Sequence, residues 1–156
     1  MIHAKYKKYF YQLVDHLNNE HNIKIVQKPG VDDAWYPMLN LIYINQNLKY
    51  RERLFSLLHE AGHSLIDNQI RHKDILCFNK NTPHKIKSKK TFVHVLNEEI
   101  LAWNYGKEIA KSLDFKIDCN KLEDYMTDCI MSYTRMGLKS IYGSEINADI
   151  IWTTYV

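Results

Sequence analysis

The sequence predicts an α+β fold, in which a small antiparallel or mixed sheet packs on one helix and is surrounded by further helices. Three observations carry that expectation. Short β-branched runs occur in the first third of the chain. Longer stretches repeat apolar residues every three or four positions, the spacing of one helix face. Small β elements followed by several helices, with no regular βαβ alternation, are the α+β order. The length of 156 residues suits one domain, 1–156, around a single core.

Residues 4–20 are expected to form the first helix, because Tyr6, Phe10, Leu13 and Leu17 fall on one side of it. Residues 23–27 alternate and are rich in β-branched side chains, which reads as a strand, and Lys28-Pro29-Gly30 reads as a turn. Residues 34–38 suit a short strand, confined to a sheet edge by Pro37, which has no N–H to donate. Asn40 marks the next turn. Leu41-Ile42-Tyr43-Ile44-Asn45 is the strongest strand of the chain. The second helix is expected over 50–67, with Leu54, Leu58, Ala61 and Leu65 as its core stripe. The polar stretch 68–90 reads as a solvated loop. The third helix follows over 92–113, and the fourth over 120–135, with Asp118 or Asn120 near its cap and Gly137 as its stop. In the tail, residues 150–155 can add a strand.

The second helix carries His59-Glu60-Ala61-Gly62-His63, an H-E-x-x-H pattern. Residues four apart share a helix face, so both imidazoles can point at one metal ion. Glu60 flanks that ion without needing to bind it, which is where hydrolytic zinc chemistry wants a general base. Two histidines in a buried helix can also be ordinary core residues, but that leaves Glu60 unexplained.

A catalytic zinc site takes three protein ligands and keeps one position open, so a ligand is missing. On the third helix, Phe92, Val95, Leu96, Ala102, Trp103, Gly106 and Ile109 belong to one apolar stripe. At about 100° per residue, Glu99 lies at the centre of that stripe, Glu98 at its edge, and Glu108 faces away. A carboxylate on a buried face is costly unless it is paired or bound to metal. Glu99 is therefore the expected third ligand and Glu98 the reserve; an internal ion pair with Lys or Arg is the alternative role for Glu99. The expected site is His59, His63 and Glu99 on zinc, with Glu60 as base, the two-histidine, one-glutamate set of thermolysin-like peptidases. An oxyanion donor is also required, and Tyr105, Tyr133, His84 and His94 are all candidates.

With these residues in view, the chain resembles the ImmA/IrrE family of zinc metallopeptidases. Ile42-Tyr43-Ile44-Asn45 resembles the strand before that family's active-site helix. The run from Arg53 to Leu65 resembles the helix itself, and Glu99-Ile100-Leu101-Ala102-Trp103 resembles the downstream motif that supplies the third ligand. The similarity covers roughly residues 40–113. Tyr105-Gly106 and Ile109-Ala110-Lys111-Ser112-Leu113 depart from the usual continuation of that motif, and the helix-turn-helix domain of many members has no counterpart in the sequence. The resemblance implies a zincin-like domain of the gluzincin type that cuts a protein partner. Known roles in the family include cleavage of a repressor to release a mobile element or a stress response, and a small member of this kind fits a phage origin.

Composition narrows the alternatives. Hydrophobic residues at 46% and charged residues at 25% are those of a folded soluble protein. A net charge of +3 permits an acidic partner without demanding one. The lysines between Lys80 and Lys90 form a candidate docking loop, but without interleaved aromatics they give no strong nucleic-acid signal. No apolar run approaches the ~18 residues of a membrane span, and the first residues lack the apolar core of a signal peptide, so the expected compartment is cytoplasmic. Cys77, Cys119 and Cys129 suit reduced thiols, and no C-x-x-C pair suggests a cysteine zinc site. Three functions fit: a zinc endopeptidase acting on a protein or peptide substrate, a zinc-binding regulatory module with little or no turnover, and a small-molecule amidohydrolase. Retention of Glu60 favours either enzyme. The expected place for an extended substrate is the sheet edge near residues 41–45.

Overall fold

The computed structural model describes residues 2–72 and 88–143. Helix α1 (Ile2–His21) leads into strands β1 (Lys24–Lys28), β2 (Ala34–Tyr36) and β3 (Leu41–Asn45), and then into helices α2 (Tyr50–His72), α3 (Lys89–Ser112) and α4 (Cys119–Tyr142). The described residues therefore form an α+β structure with four helices and one mixed sheet. The stretch 68–90 is not a loop throughout: residues 68–72 continue α2 and 89–90 begin α3; residues 73–87, which include Cys77, Lys80 and His84, and the candidate strand at 150–155 lie outside the described residues.

The strand order is β1-β3-β2, with β1 parallel and β2 antiparallel to β3. The strongest strand of the sequence is thus the central one. Ile42 and Ile44 are fully buried, and both backbone edges of β3 are paired. This corrects the expectation that a substrate could pair along 41–45; β1 and β2 own the free edges. The expected strand 34–38 is shorter, because Pro37 opens a 3-10 turn (Pro37–Leu39) that Asn40 ends in the left-handed conformation, at φ 50°. Proline has no N–H for the ladder and its fixed φ suits the first position of a helical turn.

Helix α2 is the centre of the molecule. Residues 54–62 are buried on every side of it, not only along the expected stripe. The sheet and α1 cover one side and α3 and α4 the other, so this part of α2 has no solvent-facing side. The α1 stripe forms as expected: Phe10, Leu13 and Leu17 are all at most 1% exposed. The start of α2 is tied to the sheet. Glu52 accepts from the Lys49 N–H at 2.9 Å, half of a capping box. Arg53 donates to the Leu48 carbonyl at 2.7 Å, to Gln27 at 3.1 Å and to the Gln46 carbonyl.

Helices α2 and α3 touch through glycine. A Cβ on Gly62 would stand 2.0 Å from the Ala102 carbonyl oxygen, and one on Gly106 would stand 2.6 Å from that of Leu58. The crossed pairing, 62 with 102 and 58 with 106, shows that the two helices run in opposite directions. Helix α4 begins where Asp118 accepts from the Lys121 N–H, as expected of a cap. Its end corrects the sequence reading. Gly137 does not stop the helix; it is buried inside it, where an added Cβ would lie 2.2 Å from the Phe92 ring, and α4 runs on to Gly143 at φ 76°. Among the described residues no helix is long and apolar enough to cross a membrane.

Candidate metal centre

The antiparallel contact of α2 and α3 decides which side chains meet. His59 and His63 lie one turn apart on the face of α2 that α3 covers. Glu99 opens the buried face of α3, one turn before Ala102 and Trp103. The His59 ring stacks on the Trp103 indole, with centroids 4.4 Å apart and planes inclined by 27°, which fixes the imidazole plane. Nε2 of His59 faces Nε2 of His63 at 3.2 Å. Glu99 closes the group, with Oε2 3.1 Å from His59 Nε2 and Oε1 3.6 Å from His63 Nε2. Among the described residues this is a cluster able to hold a metal ion, and it unites the three expected ligands.

The donor set fits a metal by its distances. Ligands about 2.0–2.1 Å from one ion at tetrahedral angles stand about 3.3 Å apart. The separations of 3.2 Å between the two imidazole nitrogens and 3.1 Å from His59 to Glu99 Oε2 are close to that value, and the other oxygen of Glu99 lies 3.6 Å from His63. Glu99 Oε2 is buried and makes no aligned hydrogen bond, although it is close to His59. A buried carboxylate that offers one oxygen to each of two imidazoles, with one of those oxygens orphaned, suits a shared cation. A group of two imidazoles and a carboxylate, with no thiolate, suits zinc and also other divalent transition metals.

The electrostatics of the group follow from its burial and its carboxylates. Burial alone would lower the His63 pKa, but the carboxylates of Glu98 and Glu99, with Glu60 behind them, hold it up at about 10. Burial would raise that of Glu99, yet the two histidines bring it down to about 2. The centre is therefore a charged cluster that a cation can enter by displacing a proton from His63. Glu98, the reserve ligand, lies against the other nitrogen of His63, with Oε1 3.5 Å from Nδ1. That is the place of an orienting carboxylate behind a metal-bound histidine.

Glu60 stays outside the triangle of His59, His63 and Glu99. It is buried, and that burial raises its pKa above the usual carboxylate range despite the nearby histidines. Its Oε2 accepts the backbone N–H of Trp35 at 2.7 Å, so β2 reaches the site through its free edge. The Trp35 indole N–H meets Asp67 on the same helix at 2.6 Å. Sequence reasoning missed both partners. A backbone donor from a distant strand leaves no sequence signal. Asp67, seven residues after Glu60 on one helix face, was legible by spacing alone.

Of the four candidate oxyanion donors, Tyr133 on α4 is brought beside the centre. Burial, followed by the charges of Glu99 and Glu60, raises its phenol pKa. His94 is exposed and Tyr105 half-buried, and His84 lies outside the described residues. Cys119 and Cys129 are free thiols; burial and the Glu99 charge push Cys129 up to about 11. No protein-family model matches this chain, and neither the curated proteins nor the solved structures include a significant match to it.

Proposed function

We propose that the chain is a zinc-dependent endopeptidase of the ImmA/IrrE kind, with a zincin-like centre, that hydrolyses a peptide bond in a protein substrate such as a regulator or repressor. The observation that supports this reading best is the division of labour among four buried side chains. His59, His63 and Glu99 converge on one point, and Glu60 stands beside that point without joining the triangle. A structural metal site has no use for the fourth group.

His59, His63 and Glu99 would hold the ion, and Glu98 would orient His63 from behind. Zinc, when bound, supplies a polarising charge and lowers the pKa of a bound water towards ~7. Glu60 takes the proton of the attacking water and passes it to the leaving amine. Its burial favours that second step, because a carboxyl with a raised pKa holds a proton long enough to deliver it. Tyr133 is the hydroxyl best placed to donate to a developing oxyanion. An extended substrate would pass beside β2, the outer strand next to Glu60, without pairing to the Trp35 N–H that Glu60 holds.

The test is proteolysis by the zinc-loaded protein. Candidate repressors and fluorescein-labelled casein are incubated with the wild type, with Glu60→Gln and with chelator. Cleavage by the wild type alone supports the endopeptidase. Full zinc occupancy with no cleavage of any protein would move the assignment to the regulatory module.

A further inference from the structure

Trp35 makes two hydrogen bonds to one face of α2. Its backbone N–H donates to Glu60 Oε2 at 2.7 Å and its indole Nε1–H donates to Asp67 Oδ2 at 2.6 Å. Both acceptors are carboxylates of buried residues, each 7% exposed. They sit seven residues apart, two helical turns, so one residue of β2 spans about 10 Å of the helix surface.

The strand itself is weakly anchored. β2 has only three residues, paired with β3 at Ala34, Trp35 and Tyr36, and a 3-10 turn follows at once. At Trp35 the N–H points away from β3, because it is given to Glu60. A short strand hinged along one edge can tilt about its neighbour. The indole bond to Asp67 blocks that tilt by holding the far end of the same residue.

We propose that Asp67 and the Trp35 indole form a positioning pair, which pins the edge strand β2 to α2 and thereby holds the Glu60 carboxylate in its working orientation. Asp67 acts on Glu60 through Trp35. With Oε2 of Glu60 held by a fixed donor, Oε1 is the oxygen left for proton transfer. The catalytic part rests on Glu60 being the base; the pinning does not.

Backbone amide exchange at residue 35, followed by NMR in the full chain, tests the pinning directly. The Trp35 amide exchanges slowly in the wild type. In Asp67→Ala its protection falls on the order of tenfold or more, while the amides of residues 54–61 in α2 keep theirs. Asp67→Asn, which retains an oxygen acceptor, recovers most of the loss. Trp35→Phe, which keeps an aromatic ring and loses the indole N–H, reproduces it and serves if the alanine variant does not fold. Zinc content is unchanged in all three, and on fluorescein-labelled casein kcat falls about tenfold in Asp67→Ala and Trp35→Phe, with little change in KM, and is largely restored in Asp67→Asn. Unchanged protection at residue 35 in Asp67→Ala overturns the proposal. So does an equal loss along all of α2, which marks Asp67 as a general stabiliser. A wild type that cleaves no casein counts against the endopeptidase reading, and the exchange data still decide the pinning.

Discussion

The ligand side of the centre lies between two helices of 23 and 24 residues, whereas the base side rests on a strand of three. On the first side, glycines let α2 and α3 approach until backbone meets backbone, and the ligand geometry follows from packing. On the second, Trp35 makes two hydrogen bonds. Packing of that kind fails only when the core fails. Hydrogen bonds to a short strand can be lost one at a time. Metal binding and catalysis should therefore separate by mutation.

The most damaging change should be one that forces α2 and α3 apart. Gly62→Ala places a Cβ against the Ala102 carbonyl, a backbone group that cannot turn aside. Overpacking of this kind costs about 3 kcal/mol, so denaturant unfolding should shift to markedly lower midpoints and the ligands should lose their convergence. An alanine variant with wild-type stability would show that the helices have room to separate.

The base side should respond in activity alone. Glu60→Gln keeps the size and an acceptor for Trp35 but removes the base, so turnover should fall by at least ~100-fold with no loss of metal. Full activity in that variant would end the proposed role of Glu60. Next in size is Glu98→Ala. Its carboxylate orients His63 through Nδ1, and an outer-shell partner is worth ~10–100-fold in metal affinity. The loss should sit at the low end of that range, since the 3.5 Å contact is long. A competition titration with a zinc chelator measures it, and a loss as large as that of Glu99→Ala would make Glu98 a ligand.

Protons should report the smallest effect. His63 has a raised pKa in the metal-free protein, so its ion pairs with Glu98 and Glu99 stabilise the fold fully below about pH 6.5. That contribution is lost as the pH rises through about 10. Glu99 has a depressed pKa, so its contribution is complete above about 4.5 and is lost as the pH falls towards about 2. Metal-free protein should therefore melt at its highest temperature between these limits. Zinc must displace the His63 proton, and calorimetry at pH 8 in two buffers of different ionisation enthalpy should detect about one proton released per chain. No release would mean that His63 is already neutral there.

The parts of this arrangement legible in the sequence are those written as periodicity. The α1 stripe, the β3 strand and the placement of Glu99 at the centre of a buried face all follow from spacing along one element. His59 and His63 needed only the helix repeat. The misreadings came from residues whose meaning depends on a neighbour. Gly137 looks like a helix stop, but it is small because Phe92 presses on it. Leu41-Ile42-Tyr43-Ile44-Asn45 reads as a strand, but nothing in those residues says that both its edges are taken. Trp35 serves the site through its backbone, which every residue possesses. Asp67 shares a face with Glu60, yet the partner common to both, Trp35, arrives from a strand remote in sequence.

The measurement that bears most directly on the centre is zinc content per chain after exhaustive dialysis, determined side by side for the wild type, Glu99→Ala and Glu60→Gln. The account expects about one zinc in the wild type, close to none in Glu99→Ala and about one in Glu60→Gln. Full occupancy in Glu99→Ala would contradict it by removing the third ligand from the centre. Loss of zinc from Glu60→Gln would contradict it equally, because the base would then be part of the metal's own coordination.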